Sequence, residues 1–126
     1  MPFDWNNFLV LAEELAQHGD EAAKRTAISR AYYFVFNLAY ARAENNGGNF
    51  VGGDRHAQCW RRYISTPDQA CQKLGVAGDR LKGRRISADY EATTKVRLDD
   101  EVRRALEEAR QFRENLAALP ARFPLP

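Results

Sequence analysis

Apolar residues recur along most of this chain at three- and four-residue intervals, the spacing of one face of an α-helix. Trp5, Phe8, Leu9, Ala12, Leu15 and Ala16 form a first such stripe, with Asp4 placed to cap it and His18-Gly19 to stop it. Asp20 caps a second and longer pattern running to about Glu44, whose apolar face is Ala27, Ile28, Ala31, Tyr32, Val35, Phe36 and Ala39. It is the most apolar stretch present, so its helix is expected at the centre. Residues 45–53 are rich in Gly and Asn and read as a loop. Asp54 opens a third helix, Arg55 to about Ser65, with Ala57, Trp60 and Ile64 on one side.

Beyond it the pattern weakens. Thr66-Pro67-Asp68 reads as a cap with Pro at the first helical position, restarting a short helix through Lys73. Gly75 and Gly78 interrupt the stretch that follows, and Asp79–Ser87 resumes as a basic turn or helix. Asp89–Arg97 holds β-branched Thr93, Thr94 and Val96 and reads as extended or irregular. From Leu98-Asp99 a clean stripe of Val102, Leu106, Ala109, Phe112, Leu116 and Leu119 defines the last helix, which Pro120 ends. Residues 120–126 read as a loose tail. Period-two alternation is absent, so the fold class is all-α. The expected architecture is an up-and-down bundle of four to five helices in a single domain, with the second and last helices flanked by the first and third.

Length and composition agree with that picture. A chain of 126 residues with 44% hydrophobic residues can bury a real core without staples. No window approaches the roughly 20 apolar residues of a membrane span. The start, Met1 to Trp5, lacks the basic and apolar regions of a secretion signal, so the expected setting is the cytoplasm, with no membrane partner. Cys59 and Cys71 are the only cysteines, and with two His at unrelated spacings they offer no zinc pattern. They read as buried thiols, and neither a metal nor a cofactor is expected.

Charge is distributed unevenly. The net charge is only +2, yet residues 54–97 carry ten basic against five acidic side chains. A basic middle on a near-neutral chain suits an anionic partner. Two strings there and in the second helix are more polar than a bundle core needs. In Ile28-Ser29-Arg30-Ala31-Tyr32-Tyr33, Arg30 sits at the edge of the buried face and needs a carboxylate if it turns inward. Asp89 is the candidate for a structural ion pair with it; a snorkelling Arg30 beside core tyrosines is the simpler alternative. In Arg84-Arg85-Ile86-Ser87-Ala88-Asp89-Tyr90, Arg84 and Arg85 are either solvated or a phosphate-facing pair, since guanidinium forks match phosphate oxygens. His56, beside Arg55 near a helix start, reads as a surface histidine that resists protonation.

Ser29-Arg30-Ala31-Tyr32-Tyr33 followed by Arg85-Ile86-Ser87-Ala88-Asp89-Tyr90, with Arg55-His56-Ala57-Gln58-Cys59-Trp60 between them, resembles the HEPN domain (higher eukaryotes and prokaryotes nucleotide-binding) in its small prokaryotic form. The resemblance spans roughly residues 5 to 119. It implies a four- to five-helix bundle, usually a homodimer, that binds RNA or a nucleotide. It further implies a toxin–antitoxin or defence-type system with a partner protein such as a nucleotidyltransferase. Many such proteins are metal-independent endoribonucleases whose signature is an Arg followed after four to six residues by a His. Here four residues separate Arg85 from Tyr90, and Tyr90 stands where the His belongs.

Tyrosine, with an ordinary pKa near 10, is a poor base at neutral pH, although it can donate to a phosphate or stack on a base. The leading expectation is therefore a dimeric RNA- or nucleotide-binding module without full nuclease activity. Arg84, Arg85, Tyr90, Arg55 and His56 are its phosphate-facing candidates. An active ribonuclease using Arg85 with Tyr90 or a displaced His56, and a purely structural interaction bundle, are the alternatives.

Overall fold

In a computed structural model, which describes residues 2–93 and 97–126, the chain is an all-α bundle of five helices. They are α1 (Asn6–Ala16), α2 (Glu21–Asn45), α3 (Arg55–Ser65), α4 (Gln69–Tyr90) and α5 (Leu98–Ala118). Three starts are set by the same device. The carboxylates of Asp20, Asp54 and Asp68 accept from the backbone N–H of Ala23, Ala57 and Cys71, satisfying a donor that the helix itself leaves open. Asp4 stands two residues before the first helix, one ahead of the N-cap position held by Trp5, and accepts from Asn6 N at 3.0 Å. At α5 the favourable charge comes from Asp99, Asp100 and Glu101 in the first turn.

Among these helices α2 is the one that touches the other four, as its apolar sequence predicts. Tyr32, Phe34 and Val35 on α2 are fully enclosed, as are Trp60 and Tyr63 on α3. Tyr63 keeps its hydroxyl satisfied in the core by donating to Ala39 O at 2.7 Å. Each phenol or indole in this interior therefore brings its own hydrogen-bond requirement, and one of them builds the site described below.

Four sequence expectations give way to the structure. The stretch expected as a short helix, a weak segment and a basic turn is the single 22-residue helix α4, which also takes in Asp89 and Tyr90. Gly75 and Gly78 lie in its interior because α3 crosses there. A Cβ on Gly78 would stand 2.3–2.6 Å from the Trp60 ring, and one on Gly75 2.6 Å from Ile64 Cγ1. Their propensity cost, about 1 kcal/mol each, is outweighed by letting Trp60 pack against bare backbone. The cap is Asp68, with Pro67 just outside the helix rather than in its first position. Ile64, expected in the core, is 42% exposed, and Cys59, Trp60 and Tyr63 form the inward face of α3.

The expected loose tail is packed. Phe123 and Pro124 are buried, and Arg42 reaches across from α2 to bind four carbonyls at the end of α5 and just beyond it. Its guanidinium donates to Leu116 O, Leu119 O, Pro120 O and Phe123 O at 2.7–3.0 Å. The negative end of the α5 dipole thus takes the place of a carboxylate. Of the expected irregular segment, Thr94 and Val96 lie outside the described residues.

Candidate anion-binding site

His56 occupies the first turn of α3, and the Asp54 cap fixes the rotation that points it at α2. There its ring stacks on Phe36, with centroids 3.9 Å apart and planes 12° from parallel. Its Nδ1 lies 2.6 Å from the Tyr32 hydroxyl, and Trp60 Nε1 donates to the same oxygen at 3.2 Å. The proton positions follow from satisfying the buried hydroxyl. Indole N–H is a donor only, so the Tyr32 oxygen accepts from Trp60, and His56 Nδ1 is the one acceptor among the described residues for the buried hydroxyl's own hydrogen. Burial pushes the Tyr32 phenol far above its ordinary range, so that hydrogen stays in place. His56 is therefore the neutral tautomer with its proton on Nε2.

Arg85 comes from the penultimate turn of α4 and lies against Tyr32 and the neighbouring Tyr33. Its guanidinium carbon is 5.5 Å from the ring centres of both Tyr32 and Tyr33, and 6.0 Å from that of Tyr90. Only 11% of the side chain is exposed, and its one carboxylate partner among the described residues, Asp89, stands at 3.5 Å. Asp89 also accepts from Ser29 Oγ at 3.3 Å. Arg85 Nε is buried without a hydrogen-bond partner among the described residues. A nearly enclosed cation whose ion pair is this long has capacity left for an anion on its exposed edge.

Electrostatics here discourage a second positive charge. His56 is held below its ordinary pKa of 6.5, first by burial and then by the Arg85 and Lys82 charges, with Asp54 opposing them. Lys82 itself lies 3.5 Å from Asp54. With Nδ1 occupied by the Tyr32 proton, His56 presents an N–H donor rather than a free base. The arrangement can bind and orient an anion; it does not hold a histidine ready to take a proton.

Placed on this geometry, Arg85, His56 and Tyr90 come together. Tyr90, at the last position of α4, is 76% exposed. Arg55 is exposed on α3 beside His56 and forms no ion pair among the described residues. Arg84 is a correction: it faces α5 and is held between Glu101 and Glu108 at 2.8–3.0 Å, which leaves it no fork for a phosphate. These carboxylates raise its pKa further. The expected Arg30–Asp89 ion pair is a second correction. Arg30 lies over the Phe8 and Tyr33 rings at 5.0 and 4.9 Å, an aromatic shelf that lets it sit at the core edge, and Asp89 turns to Arg85. His56, expected as an unpartnered surface residue, is a third.

Sequence reasoning missed Tyr32 and Phe36 as the residues that seat His56. Their i, i+4 spacing marked one face of a helix, but what faces it depends on how α3 returns across α2. Among the described residues no group of three His, Cys, Asp or Glu is placed to hold a metal. Burial pushes the Cys59 thiol up to about 12 and the Cys71 thiol upward as well, so neither is a reactive thiolate. Among the described residues no helix is long and apolar enough to cross a membrane. Compared with known proteins, the chain matches no family model, no curated protein and no solved structure.

Proposed function

We propose that this chain is a helical RNA- or nucleotide-binding module in which Arg85 takes a phosphate, His56 adds its Nε2–H and the exposed Tyr90 ring stacks on a base. The observation that carries the reading is the Arg85 guanidinium, which rests on the Tyr32 and Tyr33 rings and is held among the described residues only by a 3.5 Å ion pair to Asp89. A phosphate oxygen is a strong, charge-matched acceptor for it. Tyr90 lies within 6.0 Å of that cation and is exposed enough to receive a flat ring. The resemblance to HEPN proteins adds to the proposal a cytoplasmic homodimer and a partner protein of nucleotidyltransferase type in a toxin–antitoxin or defence-type system.

One observation favours a second reading, the metal-independent ribonuclease: His56 and Arg85, far apart in sequence, both lie against Tyr32. Its hydrogen bonding argues for orientation over proton abstraction, because the nitrogen lone pair that a base would use already accepts from Tyr32. The test is fluorescence anisotropy on labelled single-stranded RNA in EDTA, across a salt series, with electrophoresis of the same samples. Intact RNA, with binding that weakens with salt and is lost in Arg85→Ala, is the expected result. Cleavage that Arg85→Ala abolishes would move the assignment to the nuclease. Neither binding nor cleavage would overturn both and leave the structural bundle.

A further inference from the structure

The solvent side of α3 carries a separate pocket that neither Arg85 nor His56 lines. It is a cavity of about 410 Å³ between α3, the loop preceding it and the last residues of the chain. That volume lies within the range of small-ligand sites, roughly 300–1,000 Å³. Its wall is rich in donors: Arg61, Arg62, Asn49 and Ser65 line it, and no carboxylate side chain does. Neither arginine forms an ion pair among the described residues. Arg62 is nonetheless held in place, lying 5.6 Å over the Phe50 ring and donating through Nη1 to Leu125 O at 3.2 Å. Gln58 Nε2 donates to Gly52 O at 2.6 Å and ties the loop to the helix beneath it. The φ of +67° at Gly52 and +59° at Gly53 lets the chain turn there.

Two arginines that line one pocket and pair with no side-chain carboxylate among the described residues, one of them already oriented, suit an anion with several oxygens at one centre. The buried Phe50 and the Leu125 side chain give the pocket an apolar half that inorganic phosphate alone would leave unfilled. We propose that this pocket is a binding site for a small organic phosphate monoester, with Arg61 and Arg62 on the phosphate and the Phe50–Leu125 side against the organic part. The inference is independent of the Arg85 site.

Amide NMR spectra of the full chain, titrated with ribose 5-phosphate, ribose and gluconate, test it. The expected result is saturable shifts at Asn49, Gln58 and Ser65 with ribose 5-phosphate at roughly millimolar concentration or below. Ribose should produce none, and gluconate should bind more weakly. Arg61 is exposed and unpaired, so Arg61→Glu leaves the fold intact and is expected to weaken the phosphate ester at least roughly tenfold. Ser65→Asp, also on the surface, should act in the same direction. The proposal is overturned if no saturable shift occurs at these residues, if gluconate binds as well, or if both substitutions leave binding unchanged.

Discussion

Removing one oxygen, in the substitution Tyr32→Phe, isolates the element that seats His56. The ring, fully buried, keeps its stacking and volume, so little apolar contact is lost. What changes is that Trp60 Nε1–H, in a side chain 1% exposed, loses its acceptor, and His56 Nδ1 loses its donor. An enclosed donor left unmatched costs about 1–3 kcal/mol. In a domain of this length that corresponds to a Tm lower by roughly 4–12 °C. Thermal unfolding followed by circular dichroism gives that number, and the imidazole ¹⁵N shifts report the tautomer. In the parent protein His56 should be neutral with its proton on Nε2, and in Tyr32→Phe that preference should fade. A Tm within about 1 °C of the parent, with unchanged imidazole shifts, would refute the bridging role of the hydroxyl.

Four further outcomes are expected. Because the folded-state pKa of His56 is lowered, the unfolded chain binds the extra proton first. The stability His56 protects is complete above pH 6.5 and is lost as pH falls from there through the lowered folded value. Melting curves between pH 8 and pH 5 should show that loss, and His56→Gln should reduce it. Arg85→Gln removes a neighbouring positive charge and should raise the His56 pKa toward 6.5, read by NMR titration. Gly78→Ala should destabilise by about 2 kcal/mol or more despite the better helix former, while Gly83→Ala, whose Cβ meets nothing within 4 Å, should stabilise by up to ~1 kcal/mol. Arg42→Ala strands four carbonyls and should cost about 2–3 kcal/mol, with faster proteolysis at residues 120–126; Arg42→Lys should recover little, because one ammonium does not span them.

The parts of the fold legible in the sequence are those set by local chemistry. Asp20 and Asp54 announced the starts of α2 and α3, and the Val102-to-Leu119 stripe announced α5, because caps and amphipathic spacing act within a few residues. Helix α4 was hidden by its glycines. Their presence is explained by Trp60 and Ile64 on another helix, a tertiary reason that overrides propensity and leaves no local mark. The misassigned partner of Arg30 has the same origin. Once α4 is continuous, Arg85 and Asp89 fall at i, i+4 and pair with each other, and Arg30 turns to the Phe8 and Tyr33 rings.

For the candidate site, residue type identified Arg85, Tyr90 and His56, but their grouping came only from the packing of α2, α3 and α4. Arg84 shows the converse. In sequence it is the twin of Arg85; in space a rotation of 100° along the helix turns it to Glu101 and Glu108. The tail followed a similar rule, since its anchor, Arg42, lies some 80 residues upstream and its carbonyl partners carry no side-chain signature.

The most direct measurement is the Arg85 Nε–H resonance itself, followed by ¹H–¹⁵N NMR while a short single-stranded oligoribonucleotide is added. Phosphate binding on the Arg85 guanidinium should move that signal saturably, with Arg84, already held by two glutamates, left in place. An Arg85 signal that stays still while RNA binds elsewhere, or while no RNA binds at all, would contradict it.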